Sequence, residues 1–344
     1  MNGPDIIGFA DPYTGVLRFG LVRNINGDLY YIEKSSVPGE IGIVAKGMKL
    51  IGRDWYCFDD DTGIAKRGGI FTTAASSMAD PSAPRYLFNA NGVRISGWYK
   101  DPATGNMFYF DPADSGVMAV GEKRIGNANY RFDESDDLSK RGSAIKGRYE
   151  AGGKAYFYDL ITGREMQGFV NDGDDLYYID ENNQYKTGDF NFGGRVYHFD
   201  AVSHKALKNG IHNIGGKEYY FNAAGVRLTG WLNLLDGSGK IQRHFFSLTS
   251  GEMLKGKQRI NNQTYLFDAD GKMLTGLQTD PDDPSKKLFL DPATGAHKTG
   301  LVTDNDAEKS LYYLEPDGTL ATGLKTLNGR IYYFDPFGAK PNAA

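Results

Sequence analysis

Tryptophan is rare in this sequence, and its placement suggests a flat binding surface. Two of the three tryptophans, Trp98 and Trp231, directly follow a glycine. A sugar needs an aromatic plate for its C–H face and flanking groups that donate or accept hydrogen bonds. Such groups lie near both tryptophans in the sequence: Tyr99, Lys100, Asp101, Asn233, Gln242 and Arg243. Both tryptophans are therefore candidate plates for a carbohydrate.

Patterns typical of catalysis or metal binding are weak. Residues 251–257 match the first seven positions of a phosphate-binding loop, but Gln258 lacks the hydroxyl that would hold magnesium. The five histidines have neither zinc-protease spacing nor a partner nucleophile. A single cysteine, Cys57, excludes an internal disulfide and a cysteine-based zinc site. We therefore predict no catalytic residue, no metal site and no cofactor.

Acidic clusters at 59–61, 172–175 and 280–283 offer oxygen atoms to calcium. None of them has the twelve-residue loop spacing with a closing glutamate that a calcium loop needs. We therefore predict that these clusters are solvated turns.

The candidate residues belong to an internal repeat. A block of two aromatic residues, an apolar residue and an acid or amide, with some variation, occurs fourteen times at spacings of 20 to 30 residues. Glycines and aromatic residues number 45 each, which favours turns and strands. The blocks begin at Tyr30, Tyr56, Tyr86, Phe108, Tyr130, Tyr156, Tyr177, Tyr197, Tyr219, His244, Tyr265, Leu288, Tyr312 and Tyr332.

Each block lies in a unit with the pattern of one β-hairpin. A short strand that opens with glycine precedes the block, and a pair such as Asn26-Gly27 or Asn261-Asn262 lies between them. These pairs tolerate positive φ angles at both central positions of a tight turn. Because a single hairpin is marginal in water, the hairpins must stack. We expect one all-β hairpin solenoid of about 14 units, each of 20–30 residues, over residues 1–344.

The strand period of two predicts how each block divides its side chains. In the block at 219–222, Tyr219 and Phe221 face one side and Tyr220 faces the other. Most of the recurring tyrosines are expected to serve packing. A tryptophan where other units have leucine or phenylalanine also fits core packing. Near-identical hairpins provide no deep cleft to raise a carboxyl pKa, so an enzyme is not expected.

The motif Gly-Trp or Gly-apolar, a short gap, Tyr-Tyr-Phe-Asp and a glycine turn resembles the cell-wall-binding, or choline-binding-type, repeat. That family includes modules of Gram-positive wall lysins, the glucan-binding repeats of glucansucrases and the receptor-binding tails of clostridial toxins. The resemblance implies a secreted or surface-displayed solenoid with shallow aromatic sites between successive hairpins. The partner that it implies is a polysaccharide or glycan.

Departures from the family pattern bear on the ligand. The choline-binding version has a second tryptophan just before Tyr-Tyr, and the resulting aromatic cage suits a quaternary ammonium. In the two Gly-Trp units this position holds Met107 or Arg243. Trp55 stands just before its aromatic block, as the second tryptophan of the choline-binding version does, but Met48 rather than tryptophan follows the opening glycine of its repeat. The sequence therefore favours carbohydrate over choline. The candidate ligand-binding residues are Trp55, Trp98, Tyr99, Tyr109 and Trp231.

Charge and hydropathy exclude two classes of partner. The net charge of −4 argues against nucleic acid, which favours a basic surface. No apolar run reaches the length of a membrane span. Residues 1–5 lack the features of a signal peptide, and the sequence starts within a repeat. We therefore expect a fragment of a longer protein, with a truncated first unit.

Three functions fit the sequence. The first is a non-catalytic module that anchors its parent protein to a polysaccharide, which is a glucan, a bacterial wall polymer or a host glycan, through shallow aromatic sites between hairpins. The second is a structural stalk or oligomerisation tail, for which Trp98 and Trp231 would be buried; a binder would expose them in grooves. The third is a toxin-like tail that binds a host receptor, marked by a few long, divergent units among short ones. The sequence leaves the formation of a homo-oligomer open.

Overall fold

The computed structural model describes Ala10 and residues 14–36, 42–73, 80–304 and 309–335. These residues form β-strands joined by turns, together with one short 3-10 helix, Pro112–Asp114. Within them, no helix is long and apolar enough to cross a membrane. The truncated first unit predicted at the start of the chain lies largely outside the described residues.

Fourteen antiparallel hairpins follow one another along the described chain, one for each aromatic block. The first strand of every hairpin begins at a glycine, and the second strand carries the block. The predicted all-β hairpin repeat is therefore confirmed. The strand pairs are Gly20–Arg23 with Leu29–Glu33, Gly47–Ile51 with Asp54–Phe58, Gly69–Thr72 with Arg85–Phe88, Gly97–Lys100 with Met107–Asp111, Gly121–Ile125 with Ala128–Phe132, Gly147–Ala151 with Lys154–Tyr158, Gly168–Asp172 with Asp175–Ile179, Gly188–Phe192 with Arg195–Phe199, Gly210–Ile214 with Lys217–Phe221, Gly230–Leu235 with Ile241–Phe246, Gly256–Ile260 with Gln263–Phe267, Gly276–Thr279 with Lys287–Leu290, Gly300–Thr303 with Leu311–Leu314, and Gly323–Leu327 with Arg330–Phe334.

Of the two turn pairs named from the sequence, Asn261-Asn262 follows the prediction and Asn26-Gly27 does not. Asn261 and Asn262 have φ angles of 48° and 65°, as a tight turn requires. At Asn26-Gly27 only the glycine has a positive φ, of 83°. The side-chain oxygen of Asn24 accepts two backbone N–H groups there, at 3.0 and 2.8 Å. The prediction of a two-residue turn was wrong at this pair, because the asparagine side chain closes a longer loop.

Thirteen of the aromatic strands gain a second neighbour that the sequence did not predict. After the looser turn, one or two residues pair with the third residue of the block, as Met118 does with Phe110 and Met253 with Phe246. A segment of this length is too short to display a strand period. The two-residue strands of this kind are Ile43–Val44, Arg94–Ile95, Val117–Met118, Glu165–Met166, Arg227–Leu228 and His297–Lys298.

The third position of the block forms the core of every hairpin. All fourteen side chains at this position are buried, with at most 4% of their surface exposed. The second position lies on the opposite face, where it packs against the next hairpin. The ring centroids of Tyr220 and Phe246, for example, are 6.1 Å apart. The third-position residues are Ile32, Phe58, Phe88, Phe110, Phe132, Tyr158, Ile179, Phe199, Phe221, Phe246, Phe267, Leu290, Leu314 and Phe334.

The described residues divide into two compact units. The first comprises the described parts of Met1–Asp172 and Tyr178–Tyr185, and the second those of Gly173–Tyr177 and Lys186–Ala344. Each unit is a succession of hairpins that pack on their neighbours. That residues 1–344 act as a single module stays a prediction.

Candidate ligand sites between hairpins

The candidate sites lie where one hairpin packs on the next within a unit. One wall is a cross-strand pair, formed by the residue after the opening glycine and the second residue of the block. The other wall is formed by the first and third residues of the next block. We name each site after the residue that follows the opening glycine. The pairs are Trp98 with Tyr109, Glu122 with Arg131, Ile211 with Tyr220, and Trp231 with Phe245.

The Trp98 site is an open aromatic cluster. The Trp98 ring lies 5.2 Å from Tyr109 in its own hairpin, and 4.9 and 5.8 Å from Tyr130 and Phe132 in the next. Trp98 nevertheless keeps 39% of its surface exposed. Three rings therefore hold the indole in place while part of it stays open to solvent.

The Trp231 site repeats this arrangement in the second unit. Its ring lies 4.9 Å from Phe245, 5.0 Å from Tyr265 and 6.0 Å from Phe267. Here the guanidinium carbon of Arg243 lies 4.3 Å from the centroid of the Trp231 ring. Trp231 is half-buried. The two repeats that open with Gly-Trp thus build the same cluster, but among the described residues only the Trp231 ring of the two has a cation over its face.

The other sequence candidates lie in different surroundings. Tyr109 is part of the Trp98 site. Tyr99 faces the opposite side of the same hairpin, where it packs against Phe108 and Phe110. Trp55 lies in a different hairpin; 36% of its surface is exposed, and the guanidinium carbon of Arg94 is 5.2 Å from its ring.

The Ile211 site is a groove of about 610 Å³ that no pattern in the sequence predicts. Tyr220 lies on one wall, and Gln242 and His244 lie on the other. The repeat that contains Ile211 has no tryptophan to mark the site. The polar residues that line the groove come from three successive repeats. The groove is lined by Asn209, Gly210, Ile211, Glu218, Tyr220, Leu234, Leu235, Asp236, Gln242, His244, Met253, Asp270 and Lys272.

Charged groups in this groove are held in fixed positions. Asp236 accepts hydrogen bonds from the Ser238 hydroxyl at 2.7 Å and the Gln242 amide at 2.9 Å. These bonds keep the pKa of Asp236 well below its usual range. Glu218 pairs with Lys255 at 2.7 Å. Tyr220 therefore lies among an ionised carboxylate, a carboxylate–lysine pair and an amide, which are groups that sugar hydroxyls can bond.

His244 lines the groove with only 4% of its surface exposed. Its Nδ1 atom has no hydrogen-bond partner among the described residues. Burial lowers the pKa of His244, although a hydrogen bond to the backbone of Gly271 opposes this shift. The imidazole is therefore held in its neutral form near neutral pH.

This burial makes the stability of the second unit depend on pH. On going from about pH 7.5 to about 5.5, the unfolded state takes up the proton first, because its histidine pKa lies near 6.5. The free energy of unfolding should therefore fall as the pH falls. His244→Gln should make the dependence shallower, as should His297→Gln, since burial lowers the pKa of His297 too. Urea unfolding at both pH values measures this; a native chain that becomes more stable in acid would contradict it.

The Glu122 site is a second groove, of about 470 Å³, at the same place of the repeat in the first unit. Its cross-strand pair is an ion pair, in which Glu122 and Arg131 lie 2.7 Å apart. Tyr156 and Tyr158 line the other wall, and the amides of Asn129 and Asn183 hold Glu165 at 2.9 and 3.3 Å. Equivalent sites therefore differ in chemistry along the chain.

The acidic cluster at 280–283 departs from the prediction of a solvated turn. Asp280 is only 8% exposed, and both of its carboxylate oxygens lie 2.8 Å from the Lys257 ammonium. The prediction was wrong for Asp280, because a lysine from the preceding hairpin compensates its charge. Among the described residues, no group of three or more His, Cys, Asp or Glu side chains could hold a metal ion.

Comparison with known proteins shows which repeats this chain resembles. Residues 208–257 match the family model of the choline-binding repeat, and residues 258–273 match that of the putative cell wall binding repeat. Glucosyltransferase-S of Streptococcus mutans serotype c is 29% identical over 255 residues, which is 71% of this chain. Glucosyltransferase-I of Streptococcus downei is 25% identical over 304 residues, or 86% of this chain. The chain spans 16% of the length of each relative.

Solved structures of pneumococcal choline-binding proteins are also similar. Choline binding protein F of Streptococcus pneumoniae is 19% identical, with 93% of this chain and 97% of that chain covered and a TM-score of 0.44. For CbpJ of Streptococcus pneumoniae the values are 20% identity, 93% and 99% coverage, and a TM-score of 0.39. The predicted resemblance is therefore confirmed: residues 208–273 match models of the choline-binding repeat and the putative cell wall binding repeat, and the described hairpins share one glycine-and-block pattern.

Proposed function

We propose that this chain is a non-catalytic module that binds a polysaccharide, either a glucan or a bacterial wall polymer, at sites between consecutive hairpins. The observation that carries the proposal is the Ile211 groove, where Tyr220 lies among Gln242, Asp236 and Lys272. The match to wall-binding repeats and the likeness to two glucosyltransferases support this ligand class. The module would anchor a secreted or surface-displayed parent protein.

Repetition suits this role. Each groove is open and shallow, so one site alone would bind weakly. Further contacts of the same chain with one polymer are intramolecular, and avidity then exceeds the affinity of any single site. An open groove also lacks the enclosure that raises the pKa of a catalytic carboxyl group.

Retention of the purified chain on insoluble polymers tests the proposal. Dextran, starch, chitin and purified Gram-positive walls would be compared, with free choline as competitor. Retention on a glucan or on walls that choline does not release is expected. Retention on none of the polymers would contradict the proposal and favour a stalk or a receptor-binding tail. Retention on walls alone, abolished by choline, would show that the ligand is choline rather than the polysaccharide.

Tyr220→Ala should weaken binding of a soluble glucan fragment by about tenfold, because it removes the aromatic plate of the groove. Tyr333→Ala is the matched control. Tyr333 occupies the same block position in the last described hairpin and is 42% exposed. Isothermal titration measures the affinity, and circular dichroism checks that both variants fold. Equal losses in the two variants would remove the Ile211 groove from the proposal.

A further inference from the structure

The backbone joins successive repeats in a regular way, so residues at the same place of the repeat can be compared directly. At three junctions the carbonyl of the residue just before the block accepts a hydrogen bond from the short third segment of the next repeat. These bonds join Met107 to Ala144, Glu218 to Met253 and Arg243 to Met273, at 2.7, 2.8 and 2.8 Å. A different side chain at one place therefore marks a difference in chemistry rather than in fold.

Two arginines hold the same place in two repeats. Arg94 and Arg227 each begin the third segment of their repeat, where each pairs with the third residue of its block. The guanidinium carbon of each lies over the first ring of its own block, 5.5 Å from Tyr86 for Arg94 and 5.3 Å from Tyr219 for Arg227. The two side chains are thus held in the same way.

The preceding hairpin compensates the charge of Arg227 but not that of Arg94. Asp189, which follows the opening glycine of that hairpin, lies 2.8 Å from the Arg227 guanidinium. In the hairpin before Arg94 the same place, in the same strand register, holds Met48. Among the described residues, the Arg94 guanidinium makes no hydrogen bond or ion pair. Its second neighbour is the Trp55 ring, at 5.2 Å.

Arg94 is therefore a half-buried cation without a counter-charge. The two rings offset part of the lost hydration by cation–π attraction, but they leave the five N–H donors of the guanidinium unpaired. These donors form a planar fork that matches two oxygens of a phosphate or carboxylate group. Trp55 keeps 36% of its surface exposed, so the junction is open to a ligand.

We infer that Arg94 binds an oxyanion, a phosphate or carboxylate group, which takes the place that the Asp189 carboxylate holds beside Arg227. Trp55 and Tyr86 position the guanidinium and leave its donors to the anion. Arg227 already has its carboxylate and is closed to this ligand. The inference does not depend on polysaccharide binding, because a small free anion is enough to test it.

A reciprocal exchange of the compensating carboxylate tests the inference. The Nε–H signals of Arg94 and Arg227 are followed by NMR at constant ionic strength and assigned by single replacement with lysine. Inorganic phosphate and glucuronate are the probes, and glucose is the neutral control. In the native chain the Arg94 signal should shift and the Arg227 signal should not. Met48→Asp should raise the anion concentration that half-saturates the Arg94 shift by about tenfold, and Asp189→Asn should let Arg227 respond.

A response of Arg94 to phosphate alone or to glucuronate alone supports the inference and names the group that is bound. A response to neither probe, or an equal response to glucose, would overturn it. An equal response of Arg227 in the native chain, or none in Asp189→Asn, would overturn the role of the missing carboxylate.

Met48→Asn is the matched control for Met48→Asp, because it has nearly the same shape without the charge. It should leave the Arg94 response unchanged, and circular dichroism checks that both variants fold. Equal losses in the two variants would show that charge compensation is not the cause, and the inference would fail.

Discussion

Phe246→Ala should lower the free energy of unfolding of the second unit by about 3 to 5 kcal/mol, the usual loss for a large aromatic side chain in a core. Phe246 has no exposed surface. Its ring lies 6.1 Å from Tyr220 of the preceding hairpin, and its backbone pairs with Met253. The cavity would therefore weaken one hairpin and its contact with another. Urea unfolding followed by far-ultraviolet circular dichroism measures the loss.

Phe192→Ala is the matched control for this variant. Phe192 also lies in a hairpin of the second unit, but half of its surface, 50%, is exposed. The same change of side chain there should cost about 1 kcal/mol or less. Similar losses in the two variants would show that the third position of the block is not the core of the repeat.

Replacement of the tryptophan by alanine should lower the stability by different amounts in the two repeats that open with Gly-Trp. Trp231→Ala should cost about 3 kcal/mol or more, because Trp231 packs against the buried cluster of Phe245, Ile260 and Phe267. Trp98→Ala should cost less, about 1 to 2 kcal/mol, because 39% of the side chain is exposed. If Trp98 is a ligand plate, its variant should instead lose glycan retention while staying folded.

Thermal unfolding and polymer retention, measured on both tryptophan variants, separate these effects. A larger loss of stability in Trp231→Ala than in Trp98→Ala, with a loss of retention in Trp98→Ala, is expected. Equal losses of stability with unchanged retention would remove both tryptophans from the set of ligand-binding residues and favour core packing for each.

Much of the fold was predictable because the repeat is dense in local signals. An opening glycine, a turn pair and an aromatic block recur in each unit, and the strand period then assigns side chains such as Phe221 to the core and Tyr220 to the next hairpin. The short third segments were not predictable, since one or two paired residues display no period.

The candidate site was harder to predict than the fold. The Ile211 groove combines Tyr220, Gln242 and Lys272, which are separated from one another by more than 20 residues and lie in three successive repeats. Only the stacking of hairpins brings them together. Similarly, the sequence places Arg243 near Trp231, but a cross-strand diagonal contact is needed to lay the guanidinium on the ring.

The backbone bonds between neighbouring hairpins have a consequence for how such a chain can change. The carbonyls of Met107, Glu218 and Arg243 accept the same bond from the repeat that follows, although their side chains are apolar, acidic and basic. The backbone hydrogen bond between hairpins therefore does not depend on the side chain at this place. A single substitution can change the chemistry of one site while the neighbouring sites stay the same. A whole repeat can be gained or lost while the backbone bonds between the remaining hairpins are kept. Such a chain can change its ligand preference without having to rebuild its fold.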